Sequence, residues 1–179
     1  MPSPPETISL GSGRRVPYPI ASSPAASNVA RANRRANTSP EVQLRSELHR
    51  RGLRFRKDFL VRMGGTWTRP DIAFTRARVA VFVDGCFWHS CPEHGTVPRT
   101  NVEYWVPKLQ ANVARDRRNT AFLHDEGWAV VRLWEHEDPV GAAERIDCLV
   151  KLHRRRTIAR AADTRAKRRR PQRVLSKPR

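Results

Sequence analysis

An α/β domain with a mixed central β-sheet flanked by helices is the fold the sequence predicts, and three observations carry it. "DIAFT" and "RVAVFVD" are short runs rich in β-branched and aromatic residues, separated by a tight basic turn at Arg76 to Arg78, which is the pattern of a hairpin. "WAVVRLW" is a third such run, and it follows a long segment of helical character ending at Gly127. Helical segments on either side of these runs place the chain among layered α/β architectures.

In order along the chain, residues 1 to 37 are rich in Pro, Ser, Ala and Arg without periodicity and are expected to be a mobile arm. The domain is expected to span residues 38 to 152. It opens with "TSPEVQLRSELHRRG", where Thr38 is followed three residues later by Glu41, Pro40 sits in the first turn, Val42, Leu44 and Leu48 are apolar, and Gly52 ends the helix. "LRFRKDFLV" reads as a half-buried strand, because Leu53, Phe55, Phe59 and Val61 alternate with charged residues. "MGGTWTRP" reads as a turn. After the hairpin, Pro107 suits a first helical turn, so a long helix is expected from Pro107 to Glu126, with Trp105 just outside it. "WAVVRLW" is the last strand and "DPVGAAERIDCLVKL" the last helix, in which Cys148 has the spacing of a core residue. The expected order is α-β-β-β-α-β-α.

Formal net charge is +18. Residues 41 to 150 hold 17 basic and 15 acidic residues, whereas residues 151 to 179 hold 13 basic and 1 acidic. The segment from 153 to 179 is therefore expected to be a disordered basic tail, unable to bury enough apolar surface to offset ordering and suited to a polyanion such as nucleic acid. A solvated tail that only aids solubility is the alternative. No run of about 18 apolar residues stands in the chain, and the opening residues lack the apolar core of a secretory signal, so a cytoplasmic protein with no membrane partner is expected.

Three cysteines do not suggest a disulfide framework. Cys86, Cys91, His94 and His136 form C-x4-C-x2-H and, after 41 intervening residues, H. Two thiolates and two imidazoles suit tetrahedral zinc, and four protein ligands would leave no position for water, so such a zinc would be structural. Two buried cysteines beside two surface histidines are the alternative. "RPDIAF" followed by "VAVFVD" places Asp71 at the head of one strand and Asp84 at the end of its partner, the layout with which nucleases hold magnesium on oxygen ligands. Asp84 lacks the following x-Lys, and a Pro-Asp turn is the other reading of Asp71. His89 is a candidate general base, with a metal-ligand or surface role as alternatives.

"RPDIAF", "GCFWHSC", "NVEYWVPKLQANVARDRRNTAFLHDEGWAVVRLWE" and "NTSPEVQLRSELHRRGLRFR" together resemble the very short patch repair endonucleases, or DNA mismatch endonucleases, over about residues 29 to 138. The resemblance implies a restriction-endonuclease-like core with structural zinc and catalytic magnesium. It implies an enzyme that nicks one strand of duplex DNA 5′ to the T of a T·G mismatch, which arises when 5-methylcytosine deaminates. Asp71 is then the magnesium-binding carboxylate, His89 the base that activates water, and Glu41 the helix carboxylate that supports His89, with a capping-box role as the alternative for Glu41. Phe87, Trp88 and Trp105 become the aromatic wedge that enters the base stack beside the mismatch, where a wobble pair unstacks at less cost than a normal pair. For Trp105 a place in the core is the alternative. Arg115, Arg117 and Arg118 are expected on DNA phosphates. A known member of the family has Thr-His where Val83-Asp84 stand and a cysteine at the position of His136, so the Val83 carbonyl and the Asp84 carboxylate are the expected further magnesium ligands. A nucleoid-associated monomer is expected, with mismatch-repair proteins as candidate partners. Two other functions remain in view: a zinc-stabilised DNA-binding module without catalysis, and a related nuclease with another target.

Overall fold

"VAVFVD" is apolar at every position but the last, as expected of a strand covered on both faces, and it is the centre of the molecule. The computed structural model describes residues 7–9, 15–17, 37–63 and 65–169, with the side chains of residues 37–62 and 65–159. In chain order the elements are β1 (Thr7–Ser9), β2 (Arg15–Pro17), α1 (Ser39–Arg50), β3 (Arg56–Lys57), β4 (Val61–Met63), β5 (Thr66–Thr68), β6 (Ile72–Phe74), β7 (Val79–Asp84), α2 (Val102–Asp125), β8 (Ala129–Trp134) and α3 (Pro139–Arg169). The central sheet has the order β3-β6-β7-β8. It is mixed: β6 and β7 form the expected antiparallel hairpin with Ile72 opposite Val81, and β7 runs parallel to β8 with Val79 opposite Ala129 and Asp84 opposite Trp134. A parallel pair needs a long crossover, and α2 supplies it.

Alternation along β7 divides the core in two. Val79 and Val81 face a cluster made with Leu44 and Leu48 of α1 and with Ala142, Ala143, Ile146 and Val150 of α3. Ala80 and Phe82 face a second cluster with Leu123 of α2, Trp128 and Val61. Asp84 follows Ala80 and Phe82 in the alternation, so its carboxylate is directed to the α2 side.

The structure departs from the sequence expectations at six places. The N-terminal arm carries an antiparallel pair, with Ile8 opposite Val16; the rest of residues 1 to 36 lies outside the described residues. The single strand expected over 53 to 61 is interrupted at Asp58, whose φ of 48° turns the chain out of the extended form. The "MGGTWTRP" turn is instead the tip and second strand of a hairpin, β4 with β5, in which Arg62 pairs with Trp67 and Gly65 takes a φ of 82°. α2 begins at Val102, so Trp105 lies in its first turn and Pro107 inside it. That proline removes one helix bond, the one its N–H would make to the Glu103 carbonyl, and its second-turn position confines the loss to the start of a 24-residue helix. α3 continues to Arg169, past the domain end expected at 152, through a segment of good helix formers with no Gly or Pro before Pro171; residues 170 to 179 lie outside the described residues. Cys148 is exposed, because the buried face of α3 runs through Ala143, Ile146, Asp147 and Val150. Among the described residues no helix is long and apolar enough to cross a membrane.

Candidate active site and metal centre

The parallel pairing brings the ends of β7 and β8 side by side, and the loops that leave them form the site. Glu135 ties the two together: its backbone N–H donates to the Asp84 carbonyl at 2.9 Å, and its side chain accepts from the Cys86 N–H at 2.7 Å. The loop after β7 then turns tightly, with the His89 N–H on the Gly85 carbonyl, Cys91 on Cys86 and Gly95 on Cys91. At Gly95 any Cβ would collide with the Cys91 carbonyl oxygen, so only glycine closes that turn.

These turns and the β8 exit bring Cys86, Cys91, His94 and His136 together, with all four ligand atoms within 4.8 Å of one another. His136 Nδ1 lies 3.1 Å from Cys86 Sγ, 4.0 Å from Cys91 Sγ and 3.2 Å from His94 Nδ1. A tetrahedral ion with metal–sulfur and metal–nitrogen bonds of about 2.3 and 2.0 Å requires ligand separations of roughly 3.3 to 3.8 Å, so the four residues fit such an ion. Burial, with the neighbouring Cys91 and Glu135, pushes the Cys86 thiol up to about 11. A bound cation reverses that tendency by stabilising the thiolate.

The aromatic residues of the same loop stand together. Phe87, Trp88 and Trp105 are half-buried, with ring centroids 5.0 to 5.8 Å apart, and Tyr104 adds a fourth ring 5.0 Å from Trp105. The buried Asn112 of α2 donates from its side chain to the Trp88 carbonyl at 3.0 Å, fixing the loop against the helix.

Asp71, just before β6, accepts a hydrogen bond from the Val83 N–H at 2.8 Å. The N–H and C=O of one strand residue point to the same side, so the Val83 carbonyl faces the edge where Asp71 stands. Burial raises the Asp71 carboxyl to about 6 against the Val83 hydrogen bond, and the charges of Glu41, Asp84 and Asp58 raise it further. An acidic cluster of this kind is stabilised by a hard cation, for which Asp71 and the Val83 carbonyl offer oxygen ligands. Asp84 is already engaged: Arg132 holds both its oxygens, through Nε at 2.7 Å and a terminal nitrogen at 2.6 Å. Its expected role as a magnesium ligand thus competes with a bidentate ion pair.

His89 Nδ1 lies 2.5 Å from Asp116 Oδ2 and 3.6 Å from Asp84 Oδ1, and Arg132 reaches Asp116 Oδ1 at 3.2 Å. Burial opposes the charge of Asp116, but the bond and charge of His89, with Arg132 and Arg115, outweigh it and hold the carboxyl below its ordinary value. The carboxylate fixes the imidazole through Nδ1 and leaves Nε2 for other chemistry. This replaces the expected partner: Glu41 is buried on α1, where it accepts from the Asn37 N–H at 2.9 Å, the Thr38 hydroxyl at 3.0 Å and Arg45 at 3.1 Å. It ties the residues before the helix to its first turns and acts on Asp71 through charge, without touching His89. Arg115, Arg117 and Arg118 are exposed on α2 around the inward-facing Asp116.

Asp116 and Arg132 were missed in the sequence, although each leaves a signal. Asp116 continues the buried series Leu109, Asn112 of α2 at helical spacing, a charge where an apolar residue is expected. Arg132 is the one charge inside "WAVVRLW".

A family model described as DNA mismatch endonuclease Vsr matches residues 22–93. The chain is 53% identical over 122 residues to the type II nicking enzyme V.NaeI of Lentzea aerocolonigenes, covering 68% of this chain and 74% of that protein. The chain belongs to the Vsr family. It is also 45% identical to the type II nicking enzyme V.XorIIP of Xanthomonas oryzae, over 62% of this chain and 80% of that one, and 38% identical to the DNA mismatch endonuclease Vsr of Escherichia coli, over 55% and 62%. The mixed sheet with its flanking helices agrees with the restriction-endonuclease-like core expected of Vsr proteins, and an endonuclease is the enzyme class that the motifs announced.

The Asp71 carboxyl sets a pH dependence. Its folded value of about 6 lies above its ordinary 3.8, so folding favours the protonated form. The associated stability is complete below about pH 4 and is lost as pH rises through about 6. Asp71→Asn, which cannot ionise, is expected to melt at a higher temperature than the wild type in metal-free buffer at pH 8, with the gap closing below pH 4. Equal melting temperatures at pH 8 would contradict the burial account.

Proposed function

We propose that the protein is a magnesium-dependent endonuclease that nicks one strand of duplex DNA 5′ to the T of a T·G mismatch, starting very short patch repair. The observation that carries the reading is the convergence of Asp71, the His89–Asp116 pair and the Phe87, Trp88 and Trp105 cluster at one end of the sheet. The names of the relatives, nicking enzymes and a mismatch endonuclease, support it.

Asp71 and the Val83 carbonyl would hold magnesium, which supplies Lewis-acid stabilisation of charge on the scissile phosphate. His89 takes the proton of the attacking water at Nε2, since Nδ1 is committed to Asp116. Asp116 keeps the ring oriented and stabilises the imidazolium that forms. Arg132 holds Asp116 and Asp84 in place. Phe87, Trp88 and Trp105 enter the stack beside the T·G pair, where separation of bases is easiest, and this selects the substrate. Arg115, Arg117 and Arg118 contact phosphates, supplying affinity without sequence information. Cys86, Cys91, His94 and His136 would hold zinc, which would make the loop rigid, so that wedge and base keep a fixed relation.

Labelled duplexes carrying each mismatch, incubated with magnesium or with EDTA, test the activity. A single nick on the T strand of the T·G duplex, only with magnesium, is expected; equal cutting of a T·A duplex, or no cutting with magnesium, would overturn it. Metal analysis of protein purified without chelator is expected to find one zinc per chain. Cys91→Ser and His136→Ala should lose zinc and melt at lower temperature, while Cys148→Ser keeps both. Full occupancy in the first two variants would remove those residues from the ligand set.

A further inference from the structure

Trp67 is 62% exposed, the one aromatic side chain among the described residues left mostly in solvent. It sits on β5, in a hairpin with β4 that forms its own two-stranded sheet. An isolated hairpin is marginal in water, so this one depends on its base and its inner face. The base is closed by the Asp58 N–H on the Asp71 carbonyl at 3.3 Å, so the arm is rooted on the candidate catalytic residue itself. Its inner face is Val61 and Thr68, both buried, with Val61 packed in the cluster under α2. Its outer face pairs Arg62 with Trp67 directly across the strands, and Arg69, also exposed, follows. Between Val61 and Pro70 there is no acidic residue.

Three residues lie between Trp67 and Asp71, so four steps of the chain separate them. An extended chain covers at most about 3.6 Å per residue, so the two Cα atoms are no more than about 14 Å apart. At 3.4 Å per step along a strand, that is about four base pairs. We propose that the β4–β5 hairpin is a second DNA-contacting element, with Trp67 against the sugar–phosphate backbone and Arg62 and Arg69 on phosphates, within about four base pairs of the scissile bond. The inference rests on Asp71 marking the cut, as proposed above. An indole offers an N–H donor and a flat apolar face, and two guanidiniums beside it match a polyanion, whereas all three in solvent would waste the burial that Trp usually finds. Such contacts add affinity and set register on the duplex and read no bases.

The test uses the full chain: binding of wild type, Trp67→Ala and Arg62→Ala/Arg69→Ala to T·G and T·A duplexes of otherwise equal sequence, with hydroxyl-radical footprinting. Each variant is expected to bind both duplexes roughly tenfold more weakly with the T·G to T·A ratio unchanged, as removal of an aromatic or phosphate contact does. Protection should disappear within about four base pairs on one side of the nick site, and the double variant's salt slope should fall by about 0.9 for each phosphate that is no longer neutralised. Because Trp67 is exposed, melting temperature should hold. Wild-type affinity and footprint in both variants would overturn the proposal, and a weakening confined to the T·G duplex would instead make Trp67 part of mismatch sensing and equally overturn it. The wild type's own T·G to T·A ratio reports on the mismatch reading separately, so either can fail alone.

Discussion

Parallel pairing of β7 with β8, in the register that sets Asp84 beside Trp134, is the constraint on which the site depends. It ends both strands at the same edge, so the loop that starts at Gly85 and the turn that starts at Glu135 meet there. It also sets Phe82 opposite Arg132, whose guanidinium lies over the Phe82 ring at 4.8 Å and reaches Asp84. A slip of one residue would turn Arg132 to the opposite face and move His136 away from Cys86. The hydrophobic pattern resists that slip, because Val131 and Leu133 would leave the core between the sheet and α1 and α3, and Arg132 would enter it.

Beyond the sheet, the loop from Gly85 to Gly95 has few apolar anchors of its own. Cys86 and Cys91 are buried, but His94 is exposed, and the aromatic residues are only half-buried. What holds the loop is polar: Glu135 at its start, Asn112 at Trp88, and the convergence of two thiols and two imidazoles. His89 lies inside this loop, so the same restraints that present the aromatic rings also present the imidazole to Asp116. In the proposed function, recognition and proton transfer are therefore coupled through one short segment, while the basic surface of α2 stands apart from it.

The sequence was informative where a local rule had a single solution. The helix start at Thr38, the hairpin signal around Arg76 to Arg78 and the spacing of the four metal-ligand candidates correspond to what the structure contains, although Thr38 turns its hydroxyl to the Glu41 carboxylate and makes no side-chain cap bond to the helix backbone. It was uninformative where the outcome depended on long-range contact. Pro107 suits a helix start as well as a second turn, and only the packing of Trp105 with Phe87 and Trp88 decides where α2 begins. "MGGTWTRP" lacks apolar alternation because one face of its hairpin is Arg and Trp, so it reads as a turn. Glu41 reads equally as a cap and as a support for His89, and the distance along α1 from Asp116 cannot be known before the helices pack. Asp116 and Arg132 were legible only as charges on otherwise apolar faces, a signal that marks an oddity without naming a partner.

Hydrogen exchange of the protein before and after metal is stripped by a chelator tests most directly the claim that the metal cluster holds the loop on a sheet that stands without it. The account predicts that amides of residues 85 to 95 lose protection, while those of β7 and β8 keep theirs, since their strands are secured by apolar packing on both faces. Unchanged protection in the loop, or loss of protection throughout the sheet, would contradict it.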